Sequence, residues 1–374
     1  EIGNYNKTRK SFDYYNRNIN PKWNNSKKLK KYLSISTGKL NNSPENIFNY
    51  IIVDDYVYYI NNKYNFIKYD LLKKEIISKV QLFEKNISDF NIPISLLKNN
   101  EFFYLSFGNG TIIKIDSDGS IYWKKKYKDI IRTPMIMINN NIIVIFNSGK
   151  VLSINSENGN TVWEYNYNLN KPSLSTGGEI HLKYNLIYFI MPNGRIGVID
   201  NIVGEPIDYN FVSNIEQKNI LNFNYYANLH IYENILSLIE DESIINTYDL
   251  NNDDFFIYDK NIYTLKSSFY LNNALLALER NHLLKSFNLK NFKIFWKTDL
   301  SKFLSKNDLI KAAYVINKNI LIFFTSGKLV QLDKNDGKIL FKQDLNIKNI
   351  NSITVNGQYF VFNSNNEKIL FYKQ

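Results

Sequence analysis

The residue types that do chemistry are either missing from this sequence or isolated in it. There is no cysteine among the 374 residues, which removes thiolate metal sites, redox CxxC pairs, disulfides and cysteine nucleophiles. His181, His230 and His282 have no second ligand at zinc spacing, so each reads as a packed or surface residue. Acidic residues do pair up. Asp116-x-Asp118-Gly119 and Asp333-x-x-Asp336-Gly337 suggest calcium loops, but Tyr127 stands where a ligand closing the first would fall, and calcium is not expected. Glu240-Asp241-Glu242 and Asp253-Asp254 read as solvated turns between strands. Gly108-Asn109-Gly110 reads as a hairpin turn, and no P-loop, GxSxG or GxGxxG in a strand-turn-helix setting is present. No catalytic, cofactor-binding or metal-binding residue is predicted.

The elements that would position any site are short strands. Apolar residues make up 44% and aromatics 15% of the chain, too much for a disordered protein. From about residue 30 onward, runs of Ile, Val, Leu, Phe and Tyr alternate with Asn, Asp, Gly and Ser, and no capped helical stripe interrupts them. The longest clean apolar runs, Ile142 to Phe146 and Ile320 to Phe324, are about a quarter of a membrane-spanning helix.

A repeat organises these strands. Its marker is an Asp or Asn closing a strand: Asp70, Asp116, Asn155, Asp200, Asp249, Asn288 and Asp333, at spacings of 46, 39, 45, 49, 39 and 45 residues. That is the period of a four-stranded propeller blade. Seven or eight residues past the marker stands Trp123, Trp163, Trp296 or Phe341, with Ile77, Ile207 and Phe256 in weaker copies, a position expected to pack blade against blade. The last copy, Tyr359 to Asn363 and Lys368 to Lys373, lacks its outer strand. The segment Lys30 to Ser36 has the pattern to supply it and so to cover an otherwise open sheet edge. The expected fold is all-β: an eight-bladed propeller of four-stranded antiparallel blades over residues 29–374, closed by an N-terminal strand, with seven blades as the alternative.

Residues 1–28 are polar and aperiodic and read as a flexible tether reaching on the order of 30 Å. Residues 1–31 carry nine Lys and Arg against Glu1 and Asp13, so +7 of the formal +11 sits there. The heavy use of Asn, Lys, Ile and Tyr is that of an AT-rich genome, which lowers the weight of any lysine cluster. The tail therefore reads as a linker before it reads as a membrane-surface contact. Nucleic-acid binding aided by Tyr5, Phe12, Tyr14, Tyr15 and Trp23 ranks last.

The stretch Ile115-Asp116-Ser117-Asp118-Gly119-Ser120-Ile121-Tyr122-Trp123 resembles the repeat of pyrroloquinoline-quinone (PQQ) propellers, and the resemblance covers nearly all of residues 30–374. Two branches of that superfamily differ in function. Quinoprotein dehydrogenases bind the quinone and Ca²⁺ on the propeller axis; they are longer chains, generally with a vicinal cysteine pair, which is absent here. The outer-membrane assembly factor BamB family keeps eight blades without a cofactor, behind a lipid-anchored tether, and is the better match. Pro172-Ser173-Leu174-Ser175-Thr176-Gly177-Gly178-Glu179 is similar to that family's Pro-Ser-Leu-Ser-Leu-Arg-Gly-Glu loop, which contacts the barrel subunit BamA together with a nearby acidic pair. Leu174, Gly178 and Glu179 match by position. Thr176 replaces a Leu, Gly177 replaces the Arg, and the acidic pair falls near Asn224 and Tyr226.

The resemblance implies a non-catalytic scaffold of the outer-membrane β-barrel assembly machinery, with Leu174, Ser175, Thr176, Gly177, Gly178, Glu179, Asn224 and Tyr226 as partner-binding residues. It implies no cofactor, a BamA-like barrel subunit and unfolded outer-membrane proteins as partners, and no nucleic acid. It places the chain at the periplasmic face of the outer membrane of a Gram-negative bacterium, anchored by a lipidated Cys that would precede Glu1. The alternatives are a PQQ-dependent dehydrogenase-like enzyme and a periplasmic propeller that binds peptides or glycans.

Overall fold

The computed structural model describes residues 2–3, 27–38, 50–83, 92–131, 133–168, 180–190, 196–207, 229–240, 244–251, 260–261, 265–271, 273–316, 318–356, 358–364 and 367–374. The architecture is all-β, an eight-bladed propeller of antiparallel blades. Blade 1 comprises Tyr50–Val53, Tyr56–Ile60, Asn65–Asp70 and Glu75–Gln81. Blade 2 comprises Pro93–Asn99, Phe102–Phe107, Thr111–Asp116 and Ile121–Lys126, and Ile2–Gly3 pairs with its first strand. Blade 3 comprises Ile136–Ile138, Asn141–Ile145, Lys150–Asn155 and Thr161–Asn166. In blade 4, Ile180–Lys183, Leu186–Ile190 and Ile196–Asp200 are described, and Pro206 forms an isolated bridge with Ile199. Blade 5 holds Leu229–Tyr232, Ile235–Glu240, Ile244–Asp249 and Lys260–Asn261. Blade 6 holds Leu265–Leu271, Ala274–Glu279, Leu283–Asn288 and Ile294–Asp299, and blade 7 holds Ile310–Ile316, Asn319–Phe324, Lys328–Asp333 and Ile339–Asp344.

Blade 8 is completed from the other end of the chain. Ile350–Asn356, Tyr359–Ser364 and Lys368–Lys373 form three strands, and Lys30–Ser36 pairs with Lys368–Lys373 as the fourth, Lys30 opposite Lys373 and Ser36 opposite Lys368. The join is tied further: Leu29 is buried, its N–H donates to Gln343 Oε1 at 2.8 Å, and Gln343 Nε2 donates back to its carbonyl at 2.7 Å. The chain falls into two compact units, residues 1–6 with 40–231 and residues 7–39 with 232–374. The closing strand lies within the second.

The marker residues work as turn caps. Asp116 Oδ1 accepts the N–H of Asp118, Gly119 and Ser120 at 2.8–2.9 Å, and Asp70, Asn155 and Asp200 each accept two N–H groups in the same way. Asp249, Asn288 and Asp333 accept one apiece, from Asn251, Lys290 and Asn335. A short Asp or Asn side chain that satisfies the turn's own backbone explains the residue choice.

The tryptophans dock one blade on the next marker turn. Trp123 Nε1 donates to Ser156 O at 3.2 Å, Trp163 to Asn201 O at 2.8 Å, and Trp296 to Lys334 O at 3.0 Å; each acceptor directly follows a marker. The turn glycine must lack a Cβ at this contact. At Gly204 (φ +78°) and Gly337 (φ +70°) a Cβ would lie 2.5 Å from the indole of Trp163 and Trp296. Blade 1 departs from the expected pattern. The outer-strand bulge is shared with blades 2, 3, 6 and 7, but the turn after Asp70 is one residue longer than that after Asp116, so Ser78, not Ile77, stands opposite Lys68 where the tryptophans stand in other blades, and Gly119 closes on Val80 instead. Ile77 is 44% exposed. Phe256 lies outside the described residues.

The cores are layers between adjacent blades. Ile142, Val144 and Phe146 pack with Leu97, Tyr104 and Ile112 between blades 2 and 3, and Ile322 and Phe324 pack with Leu276 and Leu278 between blades 6 and 7. Their burial is the main stabilising term, at about 25 cal/mol per Å² of apolar surface. Among the described residues no helix is long and apolar enough to cross a membrane.

Candidate docking surface

The residues expected to bind a partner fall in two segments: Leu174, Ser175, Thr176, Gly177, Gly178 and Glu179 in 169–179, and Asn224 and Tyr226 in 208–228. Both segments lie outside the described residues. In sequence the first lies between Thr161–Asn166 of blade 3 and Ile180–Lys183 of blade 4, and the second between Pro206 and Leu229–Tyr232 of blade 5. The departure point of the first is held by Tyr167, whose ring meets Tyr165 and Phe189 edge-on at 4.8 and 5.9 Å and whose hydroxyl donates to Val198 O at 3.3 Å.

A second constellation stands beside the Trp123 dock, at the marker-turn end of blade 2. In blade 2, Tyr104, Lys114 and Trp123 stand opposite one another across three strands. The Lys114 ammonium lies 4.0 Å from the Phe102 ring centre and 5.7 Å from Tyr122, and donates to Glu157 O of the next blade's turn at 3.3 Å. Lys114 is only 6% exposed, and burial pushes its ammonium below the ordinary lysine range, with Glu157 opposing. Blade 1 repeats the arrangement. Lys68 lies 5.0 Å from the Tyr56 ring centre and reaches Asp118 Oδ1 of blade 2's turn at 3.4 Å. Burial, with the carboxylate of Asp118 behind it, pushes the Tyr58 hydroxyl beside it up to about 12. In these slots a cation sits against aromatic faces and donates to the neighbouring turn, a geometry that stabilises by cation–π attraction.

The same slot is open in the second unit. In blade 6 the register puts Ser286 where blade 2 has Lys114, Ala274 where it has Phe102, Leu276 for Tyr104 and Phe295 for Tyr122. Two residues past the neighbouring marker stands Asn335 instead of Glu157. These replacements leave a pocket of about 240 Å³, lined by Leu271, Asn273, Ala274, Ser286, Phe295, Val315, Ile320, Lys334 and Asn335. The slot between blades 5 and 6, with Ile235, Thr247 and Lys290 at the corresponding positions, is open too, at about 360 Å³, and the Glu233–Lys290 ion pair at 2.8 Å spans its rim.

The outer strands expose apolar residues beside these slots. Ile76, Ile77, Ile121, Tyr122, Val162, Ile294, Phe295 and Leu340 are each 40–58% exposed, and all lie at the start of a blade's outermost strand. Such strands also present one row of unpaired backbone groups. The remaining charged cluster is structural: burial raises the Asp308 carboxyl, but hydrogen bonds from Ser326, Ser305 and Lys328 outweigh it and hold the group below its ordinary value. Among the described residues no group of three His, Cys, Asp or Glu side chains could hold a metal ion. Sequence reading missed the lysine slots. The available signal was the residue two places before each marker, which is Lys68 and Lys114 in the first two copies but Thr247 and Ser286 in later ones.

The family model described as outer membrane protein assembly factor BamB matches residues 94–222, which spans blades 2 to 4. The fold is similar to that of BamB from Moraxella catarrhalis, with TM-score 0.66 and 14% identity over 93% of this chain and 100% of that one. Residues 94–222 therefore carry a BamB-like repeat, on a propeller fold shared with BamB. A quinohemoprotein alcohol dehydrogenase from Comamonas testosteroni shares the architecture too, with TM-score 0.65 and 11% identity over 99% of this chain and 79% of that one. An uncharacterised protein of Rickettsia conorii is 22% identical over 346 residues, 86% of this chain and 81% of the relative.

Proposed function

We propose that the protein is a non-catalytic scaffold subunit of the outer-membrane β-barrel assembly machinery, working at the periplasmic face of that membrane. The observation that carries this reading is the BamB family match, whose residues 94–222 include the whole 172–179 segment. In the proposed arrangement Leu174, Ser175, Thr176, Gly177, Gly178 and Glu179, with Asn224 and Tyr226 nearby, dock on a BamA-like barrel subunit. The family's Arg and acidic pair are replaced here, so this contact rests on Leu174, backbone groups and the Tyr226 ring rather than on a directional ion pair. Residues 1–28 serve as the tether to a lipid anchor, and residues 29–374 form the propeller. Unfolded outer-membrane strands are held along the exposed outer edges of blades by strand addition, where backbone hydrogen bonds bind without reading sequence.

Recovery from solubilised native envelope tests the docking. Wild-type protein is expected to bring down the barrel subunit and Leu174→Asp to lose it; equal recovery by both would refute the assigned contact. The quinoprotein neighbour motivates the competing reading, an enzyme with PQQ and Ca²⁺ on the axis. The chain has no cysteine pair, and its described residues offer no carboxylate cluster for the ion. Incubation with the quinone and Ca²⁺ is expected to leave the protein without the cofactor's absorbance.

A further inference from the structure

The slot between blades 6 and 7 is shaped like one that the chain fills elsewhere with its own side chain. Between blades 2 and 3 the occupant is the stem and ammonium of Lys114, under Phe102 and Tyr122. Between blades 6 and 7 the lysine has become Ser286, 2% exposed, and the covering ring has become Ala274, while the outer ring remains as Phe295, 49% exposed. The result is a pocket of about 240 Å³, larger than the roughly 150 Å³ cavities that hold one benzene ring. Its floor and walls are Leu271, Ala274, Val315 and Ile320, with the polar groups of Ser286 and Asn335 among them.

We propose that this pocket receives one large apolar side chain, aromatic or branched, of an extended polypeptide strand that pairs with the outer edge of Ile294–Asp299. Three observations select that occupant. The lining is mainly aliphatic, with one aromatic face at the rim, which suits an apolar body. Lys334 stands on the wall where blades 2 and 3 have Ser117 and Ser156 in their marker turns, and Lys293 and Lys297 flank the edge, so a second ammonium like that of Lys114 is disfavoured and a neutral or acidic strand is preferred. Phe295 lies on the edge strand itself, so a side chain in the pocket and a backbone along the edge belong to one ligand. This inference deepens the scaffold reading by naming where an unfolded strand is gripped.

The test uses the full chain and capped nine-residue peptides of sequence Asp-Thr-Thr-Thr-X-Thr-Thr-Thr-Asp, with X as Phe, Ser or Lys, followed by ligand-observed NMR titration. The Phe peptide is expected to bind at least tenfold tighter than the Ser and Lys peptides. Refilling the slot by Ser286→Lys with Ala274→Phe is expected to reduce Phe-peptide binding to the Ser-peptide level, as is the surface change Phe295→Ser, which touches no core contact. Equal binding of the Phe and Ser peptides to the wild type, tighter binding of the Lys peptide, or undiminished binding by a folded refilled variant would each overturn the proposal. The docking reading is separable: the refilled variant still brings down the barrel subunit, whereas Leu174→Asp loses the subunit and keeps the peptide.

Discussion

Blades 1 to 3 and blades 5 to 7 share one repeat and treat the space between neighbours in opposite ways. In the first group Lys68 and Lys114 close the inter-blade slot under tyrosine and phenylalanine rings and reach the next turn. In the second, Thr247 and Ser286 leave it open. Where a tryptophan dock adjoins the slot it is kept: Trp123 and Trp296 each donate to the backbone carbonyl that follows the next marker. Stability and vacancy are therefore carried by different residues of one repeat, and a slot can be emptied without undoing the blade contact that supports it.

The comparison breaks first if the docks are not equivalent. Trp163→Ala and Trp296→Ala are each expected to cost about 3–5 kcal/mol, because each removes a buried indole and leaves a cavity; chemical denaturation would check both, and a loss under 1 kcal/mol in either unit would deny the common role. A smaller effect is expected at the filled slots. Lys114→Ala should cost about 2–3 kcal/mol through lost packing and cation–π attraction and should open a new peptide-binding slot between blades 2 and 3, visible in the same NMR titration.

Alkaline unfolding sharpens the contrast further. The folded Tyr58 hydroxyl titrates at about 12 against an unfolded value of 10, so its neutral form stabilises the fold fully below pH 10 and that stability drains away as pH rises toward 12. Burial raises Tyr104 in the same sense, with Glu157 adding and a hydrogen bond to Ser156 opposing. Lys114 runs the other way: its depressed value means that stability rises as pH climbs toward the unfolded lysine value. Tyr58→Phe should reduce the loss between pH 10 and 12, measured by denaturation at each pH, while blade 6, with Leu276 at that place, contributes no such step. The smallest effect is at Lys68→Ala, about 1 kcal/mol or less, because its partner Asp118 is 80% exposed and such pairs are weak.

Much of the architecture was legible in the residues. Seven markers at a blade's period gave the blade number, and the missing outer strand of the last copy pointed to Lys30–Ser36, which pairs there. This worked because turn capping by Asp or Asn and docking by Trp are local demands that leave fixed residue types at fixed offsets. The slots were not legible, since each is assembled from several strands and a turn some 40 residues apart, and a one-residue difference in turn length moves the offsets, as Ser78 and Ile77 show. The expected contact residues came from resemblance alone, in two segments outside the described residues.

The most direct test of the scaffold account is photo-cross-linking in intact cells from a benzophenone amino acid placed at position 174, with position 295 probed in parallel. The account predicts a cross-link from 174 to the outer-membrane barrel subunit and from 295 to unfolded outer-membrane chains. Cross-links from 174 that never include the barrel subunit, in cells where the protein is folded and exported, would contradict it.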